Sequence, residues 1–221
     1  MSGRADPSAP EPGGGRQDLS AAAQRRLLAL ARRAIEAQLS RAAMAGSVLA
    51  NGRMAESDPT GPGVAESDLA DLRAELERRS GAFVTLTRRR GGELRGCVGL
   101  PEPLYRLDEA VARAAVAAAL YDGRFDPVHV DELPALSLHV SVLGELRPIP
   151  AAHVEVGVHG LVVRHAGRSG LLLPQVAAER RWDRERFLDE TCRKAGLRLG
   201  TWREPGCEIL AFTATVFGEE E

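Results

Sequence analysis

The chain has 221 residues, of which 44% are hydrophobic, which is enough for the core of one ordinary domain or two closely packed subdomains. Its 29 basic residues face 31 acidic ones, so the net charge of −2 argues against nucleic acid as a partner. No apolar run approaches the roughly 20 residues that span a bilayer, so we expect no membrane segment. The three cysteines, Cys97, Cys192 and Cys207, are widely spaced, so we expect free thiols in a cytoplasmic protein.

The N-terminal quarter is predicted to hold one long helix between two irregular segments. Residues 1–18 combine prolines and glycines without the apolar stretch of a secretion signal, which predicts a disordered leader. A helix capped by Asp18 or Ser20 follows, with an apolar stripe of Leu27, Ala31, Ala34 or Ile35, and Leu39. Dense turn-forming residues then predict a mobile loop over about residues 46–64, so the folded domain is expected over 19–221.

Alternating helices and strands are predicted in the middle of the chain. A second helix is expected to begin at a Ser67 cap and to stop at Gly81. Residues 83–86 and 93–98 read as two strands of an antiparallel hairpin. From about 106 to 121, apolar residues recur at helical spacing, and the alanines among them allow close packing on a sheet.

The second half of the chain is predicted to be richer in strands. Apolar Leu138 and Val140 alternate with polar Ser137, His139 and Ser141, which indicates a strand with one apolar and one polar face. Strands are also expected over 161–164, 171–173 and 208–217, and a helix capped by Asp183 lies between the last two, with Trp182 and Phe187 as its hydrophobic staple. This grouping of strands in hairpins interrupted by helices favours an α+β fold.

A series of short motifs identifies a family resemblance. The motif Leu94-Arg95-Gly96-Cys97-Val98-Gly99 is followed by motifs at residues 122–128, 140–143, 157–161 and 172–177. Their order resembles that of the AMMECR-type domain family, also called AmmeMemoRadiSam system protein A in prokaryotes, over roughly residues 19–219. The resemblance implies a compact α+β fold with two subdomains, one of them built on an antiparallel sheet, and no established activity.

The resemblance also implies partners. Prokaryotic members of the family are associated with a Memo-like protein and a radical S-adenosylmethionine protein, which implies a shared pathway. The sequence departs from the family pattern at Leu100, where threonine is usual, and at His139, where glutamate is common. No motif for a cofactor is present, and the small-molecule or peptide ligand is not identified by any pattern.

Cys97 is the best candidate for a nucleophile. In an extended strand Arg95 and Cys97 leave the same face, and a guanidinium beside a thiol favours the reactive thiolate. Gly96 between them leaves room for a close approach of backbone. The alternative interpretation is that Cys97 fills space in the sheet and Arg95 pairs with a carboxylate.

Other polar residues complete the candidate site. His159 is expected to act as a base if the fold brings it within reach of Cys97, whereas His139 suits either a site wall or a solvated surface. Asp122 and Arg124 can stabilise a turn through hydrogen bonds or bind an anionic ligand. The candidate ligand-binding residues are Gly96, Gly99, Asp122, Arg124 and His139.

Two functions follow from these residues. The first is a cysteine-dependent enzyme of unknown reaction, with Cys97, Arg95 and His159 as its catalytic group. The second is a non-catalytic module that binds a ligand or a protein through the same face. A metal site that combines Cys97 with His139, His159 or Glu132 is not expected, because no pair of these residues has a local ligand spacing.

Overall fold

The computed structural model of the protein describes residues 19–45 and 66–219. The expected leader over residues 1–18 and the expected loop over 46–64 lie outside the described residues. Within the described ranges no helix has the length and apolarity needed to cross a membrane. In chain order the elements are α1 Ala21–Ala45, α2 Glu66–Glu77, β1 Ala82–Arg88, β2 Leu94–Leu100, α3 Leu107–Leu120, β3 Leu136–Leu143, β4 Arg147–Pro148, β5 Gly160–His165, β6 Arg168–Leu172, α4 Pro174–Glu179, α5 Arg184–Lys194, β7 Glu208–Phe212 and β8 Ala214–Gly218.

The helices begin close to their predicted caps. The Ser20 hydroxyl accepts a hydrogen bond of 3.1 Å from the Ala23 N–H at the start of α1, and the Asp183 carboxylate accepts one of 2.7 Å from the Arg186 N–H at the start of α5. Both predicted helices are confirmed. The cap predicted at Ser67 is wrong, because α2 already includes Ser67 in its first turn and a cap must precede the helix.

Two four-stranded antiparallel sheets account for the strands and confirm the α+β class. The first sheet has the order β2-β1-β3-β8 and the second has the order β4-β7-β5-β6. The predicted hairpin is confirmed as β1 paired with β2, with Thr85 opposite Cys97. On the other side of β1, β3 pairs so that Thr85 also lies opposite His139.

The prediction of a single strand over residues 208–217 is wrong. The structure divides it into β7, which pairs with β5 in the second sheet, and β8, which pairs with β3 in the first. The chain crosses between sheets at Thr213, whose carbonyl accepts a hydrogen bond of 2.7 Å from the Gly144 N–H. No glycine or proline lies between residues 208 and 217, so the sequence carries no turn signal at this crossing.

The layers of the fold leave one face of each sheet turned toward the other sheet. Helix α3 packs across β1 and β2, while α1 packs on α3 and β3. Helix α5 packs on β5 and β6 of the second sheet. A separate apolar cluster joins the two sheets, because Phe83 of β1 packs with Val162, Leu210 and Phe212 of the second sheet.

A network of charges ties α1 to the end of the described chain. Glu219 accepts hydrogen bonds from Arg32 Nε at 2.7 Å, from Arg89 Nη2 at 3.0 Å and from the Leu138 N–H at 3.2 Å. Burial opposes ionisation of the Glu219 carboxyl, but the bonds and charges of Arg32 outweigh it and hold the pKa below its usual range. The network therefore favours the ionised carboxylate.

We expect Glu219→Gln to lower the free energy of unfolding by about 2 kcal/mol at neutral pH, because it leaves Arg32 without its charged partner. A depressed pKa gives stability that is complete above the unfolded value of roughly 4.3 and is lost as the pH falls through the folded value. Urea unfolding from pH 7 to pH 3 measures both effects. The variant should therefore lose less stability on acidification than the native chain.

The matched control is Glu109→Gln. Glu109 pairs with Arg113 one helical turn away on the exposed surface of α3. Exposed pairs of this kind contribute less than about 0.5 kcal/mol, so this variant should unfold almost as the native chain does. Equal losses in the two variants would contradict the structural role given to Glu219.

Candidate functional site

The Cys97 face is the side of the first sheet that carries Phe83, Thr85, Thr87, Cys97 and His139. Side chains alternate along a strand, so these residues share one side, whereas Val84, Leu86 and Val140 point into the core beneath α1 and α3. Contacts among the side chains agree with this register, since Thr85 reaches Cys97 and Thr87 reaches His139. The motif strand therefore presents its cysteine away from the helices.

Both motif glycines are positions of close packing. A Cβ at Gly96 would overlap the carbonyl oxygen of Ala118, so α3 lies directly on the motif strand at this residue. A Cβ at Gly99 would overlap the ring of Phe83, which lies across it. In the structure, the space that these two glycines leave is occupied by a helix on one face and by an aromatic ring on the other.

The backbone of Cys97 is held by two residues that follow α3. The Cys97 N–H donates to Asp122 Oδ2 at 2.8 Å, and Arg124 Nη2 donates to the Cys97 carbonyl at 3.2 Å. Asp122 and Arg124 also bond to each other, with Arg124 Nη2 2.7 Å from Asp122 Oδ2. We call this arrangement the Asp122–Arg124 clip.

The electrostatics of the clip favour its charged form. The hydrogen bond from Arg124 holds the pKa of the Asp122 carboxyl well below its usual range, and the backbone N–H of Cys97 adds to this effect. The same bond raises the pKa of Arg124. An ion pair of Arg124 with Asp122 therefore lies against the backbone of the motif cysteine, and Arg124 was not the arginine expected there.

The thiol of Cys97 is half-buried and accepts a hydrogen bond of 3.3 Å from the Thr85 hydroxyl. Thr85 and Thr87 also lie on this face, although no sequence motif indicated them. Their signal in the sequence was the alternation of Phe83, Thr85 and Thr87 along a strand adjacent to the motif. A hydroxyl donor at this position would also hydrogen-bond a thiolate.

Arg95 is buried and has partners in the segment after α3. Its Nε lies 2.9 Å from Glu132 Oε2, and its Nη1 donates to the Asp126 carbonyl at 2.9 Å. The hydrogen bond from Arg95 lowers the pKa of Glu132. A register shift between Leu86 and Thr87 interrupts the regular alternation where the motif strand begins, so strand spacing alone does not give the direction of Arg95.

His139 lies on the Cys97 face, across β1 from the cysteine. Its Nε2 is 3.3 Å from the Thr87 hydroxyl, and its ring lies over Gly218 of β8. Ser137, the next residue on this face of β3, is buried, and its hydroxyl has no hydrogen-bond partner among the described residues. Two strand spacings, about 10 Å, separate the backbones of Cys97 and His139.

His159 belongs to a different part of the fold. It ends the turn that precedes β5 in the second sheet, where its Nδ1 accepts a hydrogen bond of 3.0 Å from the Glu155 N–H. The neutral ring in that arrangement carries its proton on Nε2. The structure thus brings Cys97, Asp122 and Arg124 into direct contact, and it ties His159 to its own turn.

The other two cysteines differ from Cys97 in their surroundings. Cys192 of α5 is fully buried, and burial raises the pKa of its thiol. Burial, followed by the charge of Glu204, also raises the pKa of Cys207. Among the residues that the structure describes, no group of three or more histidine, cysteine or acidic side chains is arranged to hold a metal ion.

Comparison with known proteins places these features in a family. The AMMECR1 family model matches residues 28–217. The chain is 44% identical over 154 residues to protein MK0488 of Methanopyrus kandleri, covering 66% of this chain and 74% of that protein. It is 45% identical over 159 residues to a protein of Thermococcus gammatolerans, covering 68% of this chain and 78% of that protein.

A solved structure agrees over a larger part of the chain. The crystal structure of the uncharacterized protein PH0010 from Pyrococcus horikoshii superimposes with a TM-score of 0.73 at 38% sequence identity, covering 90% of this chain and 92% of that one. Since the family model spans most of the sequence and the fold agrees with that of a relative, the chain belongs to the AMMECR1 family.

Proposed function

We propose that the Cys97 face is a cysteine-dependent site at which Cys97 acts as the nucleophile or as an acid/base group. The observation that carries this proposal is the half-buried thiol, which accepts a hydrogen bond from Thr85 while its backbone is fixed by the Asp122–Arg124 clip. A nucleophile must be held in place and remain accessible; the contacts hold Cys97, and its partial exposure leaves it open to a ligand.

The supporting roles differ from those expected from the sequence. Arg124 takes the place expected for Arg95 in this proposal, because it bonds to the Cys97 carbonyl, whereas the guanidinium of Arg95 bonds to Glu132. His139 takes the proton-moving role expected for His159, since it shares the face with Cys97. At about 10 Å it is too far for direct transfer, so it would act on the far end of a ligand that lies across Thr85.

The proposal extends to the setting in which the site works. The family resemblance implies a shared pathway with a Memo-like protein and a radical S-adenosylmethionine protein, and we propose that these cytoplasmic proteins deliver or consume the ligand of the Cys97 face. A reducing compartment would keep Cys97 as a free thiol. The free state of all three cysteines is compatible with that setting.

A non-catalytic binding module is the second candidate. It is favoured by the fact that three of the expected site residues already have structural partners: Arg95 and His159 of the catalytic group have Glu132 and the turn before β5, and Asp122 of the ligand-binding group has Arg124. In that case the Cys97 face docks a peptide, a small ligand or one of the two partner proteins. The thiol would then contribute shape rather than reactivity.

Alkylation of the native chain with iodoacetamide at neutral pH separates the two functions. We expect Cys97 to react at least about ten times faster than Cys207, and Cys192 to stay unlabelled, as read by site-mapped mass spectrometry. Thr85→Val removes the hydroxyl but keeps the shape of the side chain. Because that hydroxyl would stabilise the thiolate, the variant should lower the alkylation rate at Cys97 by about three- to tenfold. An unreactive Cys97 would favour the binding module.

Thr87→Val is the matched control, because Thr87 lies on the same strand and face but contacts His139. It should leave the alkylation rate of Cys97 unchanged, and an equal change in both variants would remove the specific role of Thr85. Pull-down with a Memo-like protein adds a second measurement. Binding that survives Cys97→Ser but is lost in Arg124→Ala would support the docking function.

A further inference from the structure

A depression of about 370 Å³ lies at one end of the second sheet, on the side covered by α5. His165, at the end of β5, shares its side of the strand with Leu161, which packs in the cluster beneath α5. The depression is therefore on the opposite side of the second sheet from the cluster that contains Phe83. Its lining includes His165, Arg168, Gly196, Arg198 and Glu204.

The shape of the depression comes from a tight turn and a close helix contact. His165 and Arg168 are direct partners across a two-residue turn, in which Ala166 and Gly167 have φ of 49° and 76°. A Cβ at Gly170 would overlap the backbone of Ala195, so the end of α5 lies directly on β6. The hairpin tip and the segment after α5 thus form two walls.

Each wall contributes one arginine, Arg168 from the hairpin tip and Arg198 from the segment after α5. Arg168 donates to the Gly196 carbonyl at 2.5 Å and has no carboxylate partner among the described residues. A guanidinium held on a carbonyl keeps its full charge, and it has further N–H groups available for a ligand.

One acidic residue, Glu204, lies between Arg198 and His165. Glu204 lies 3.2 Å from Arg198 through Oε1 and 3.8 Å from His165 Nε2 through Oε2. Nδ1 of His165 is buried, and within the described part of the chain it has no hydrogen-bond partner. The side chain of Arg198 is 86% exposed, so it can exchange Glu204 for another anion without disturbing the core.

We propose that this depression binds the phosphate or carboxylate group of a small anionic ligand. Arg168 and Arg198 approach from the two walls and donate to the oxyanion, as arginines do in fork-shaped recognition of such groups. Glu204 holds Arg198 in place until the ligand arrives. The site lies apart from the Cys97 face, so it does not depend on the function proposed for that face.

Titration of the full-length chain with inorganic phosphate and, separately, with acetate tests the proposal by NMR. Saturable shifts are expected at the His165 ring and the Gly196 amide, with the better ligand identifying the preferred oxyanion. Arg168→Gln and Arg198→Gln should each weaken binding at least about tenfold, because each removes a charge-assisted hydrogen bond. A thermal melt of each variant verifies that it is folded.

Arg147→Gln is the matched control, since Arg147 is an exposed arginine of the second sheet that pairs with Glu145. It should bind both anions as the native chain does. The absence of saturable shifts with either anion would overturn the proposal. So would undiminished binding in the folded Arg198→Gln variant, or an equal loss in Arg147→Gln.

Discussion

A Gly96→Ala variant should unfold at a much lower urea concentration than the native chain, with a loss of about 3 kcal/mol or failure to fold. The added methyl group would overlap the Ala118 carbonyl oxygen and stand 3.1 Å from its carbon, both of which are backbone atoms. Backbone cannot rotate aside as a side chain can, so α3 must lift from β2. Urea unfolding followed by circular dichroism measures the loss.

Gly123→Ala provides the control for this experiment. A Cβ at Gly123 has nothing within 4 Å, and its backbone is not in the left-handed region. We therefore expect a change of less than about 0.5 kcal/mol. If Gly96→Ala were as stable as Gly123→Ala, the close contact between α3 and the motif strand would be wrong.

The second large effect is expected for Asp122→Ala, with a loss of about 3 kcal/mol at neutral pH. Asp122 is 8% exposed, and its carboxylate accepts hydrogen bonds from the Cys97 N–H and from the guanidinium and N–H of Arg124. Its removal leaves these donors without their acceptor. Because its pKa is depressed, this stability is complete above roughly pH 4 and is lost in stronger acid.

Asp131→Ala is the comparison variant, because Asp131 is an exposed carboxylate of the same segment, paired with His129. Urea unfolding should show a change of less than about 0.5 kcal/mol for this variant. The alkylation rate of Cys97 should change in Asp122→Ala and remain constant in Asp131→Ala. Equal stability of the two variants would contradict the role assigned to the clip.

Local patterns in the sequence predicted most of the fold. The buried residues Leu27, Ala31 and Ile35 recur at helical spacing, and the structure confirms them on one side of α1. The hairpin of β1 and β2 was predicted because strand residues flank a glycine-containing turn. Such features depend on neighbours in the chain, which one sequence contains.

Long-range pairing was beyond the reach of these patterns. The break at Thr213 depends on which sheet each side of the strand joins, and that choice is made by β3 and β5 far away in the sequence. The same limit applies to strand order. The alternation of apolar and polar residues indicates that a segment is a strand, but it does not determine which other strand pairs with it.

The candidate site was predicted unevenly for the same reason. Cys97 and the pair Asp122 and Arg124 were singled out from motifs, but the sequence did not indicate that the pair would hold the cysteine's own backbone. Arg95 was expected beside Cys97 because the strand was taken as regular. The register shift at the start of the motif strand could not be foreseen from spacing alone.

The Asp122–Arg124 clip also bears on how the protein avoids aggregation. Strand β2 is at the edge of the first sheet, and an exposed edge offers free N–H and C=O groups to a strand of another molecule. At Cys97 the N–H and C=O groups already bond to the side chains of Asp122 and Arg124, so they are not available to a strand of another molecule. The clip therefore protects the motif strand from intermolecular β-pairing at the residue where the chain is most reactive in our proposal.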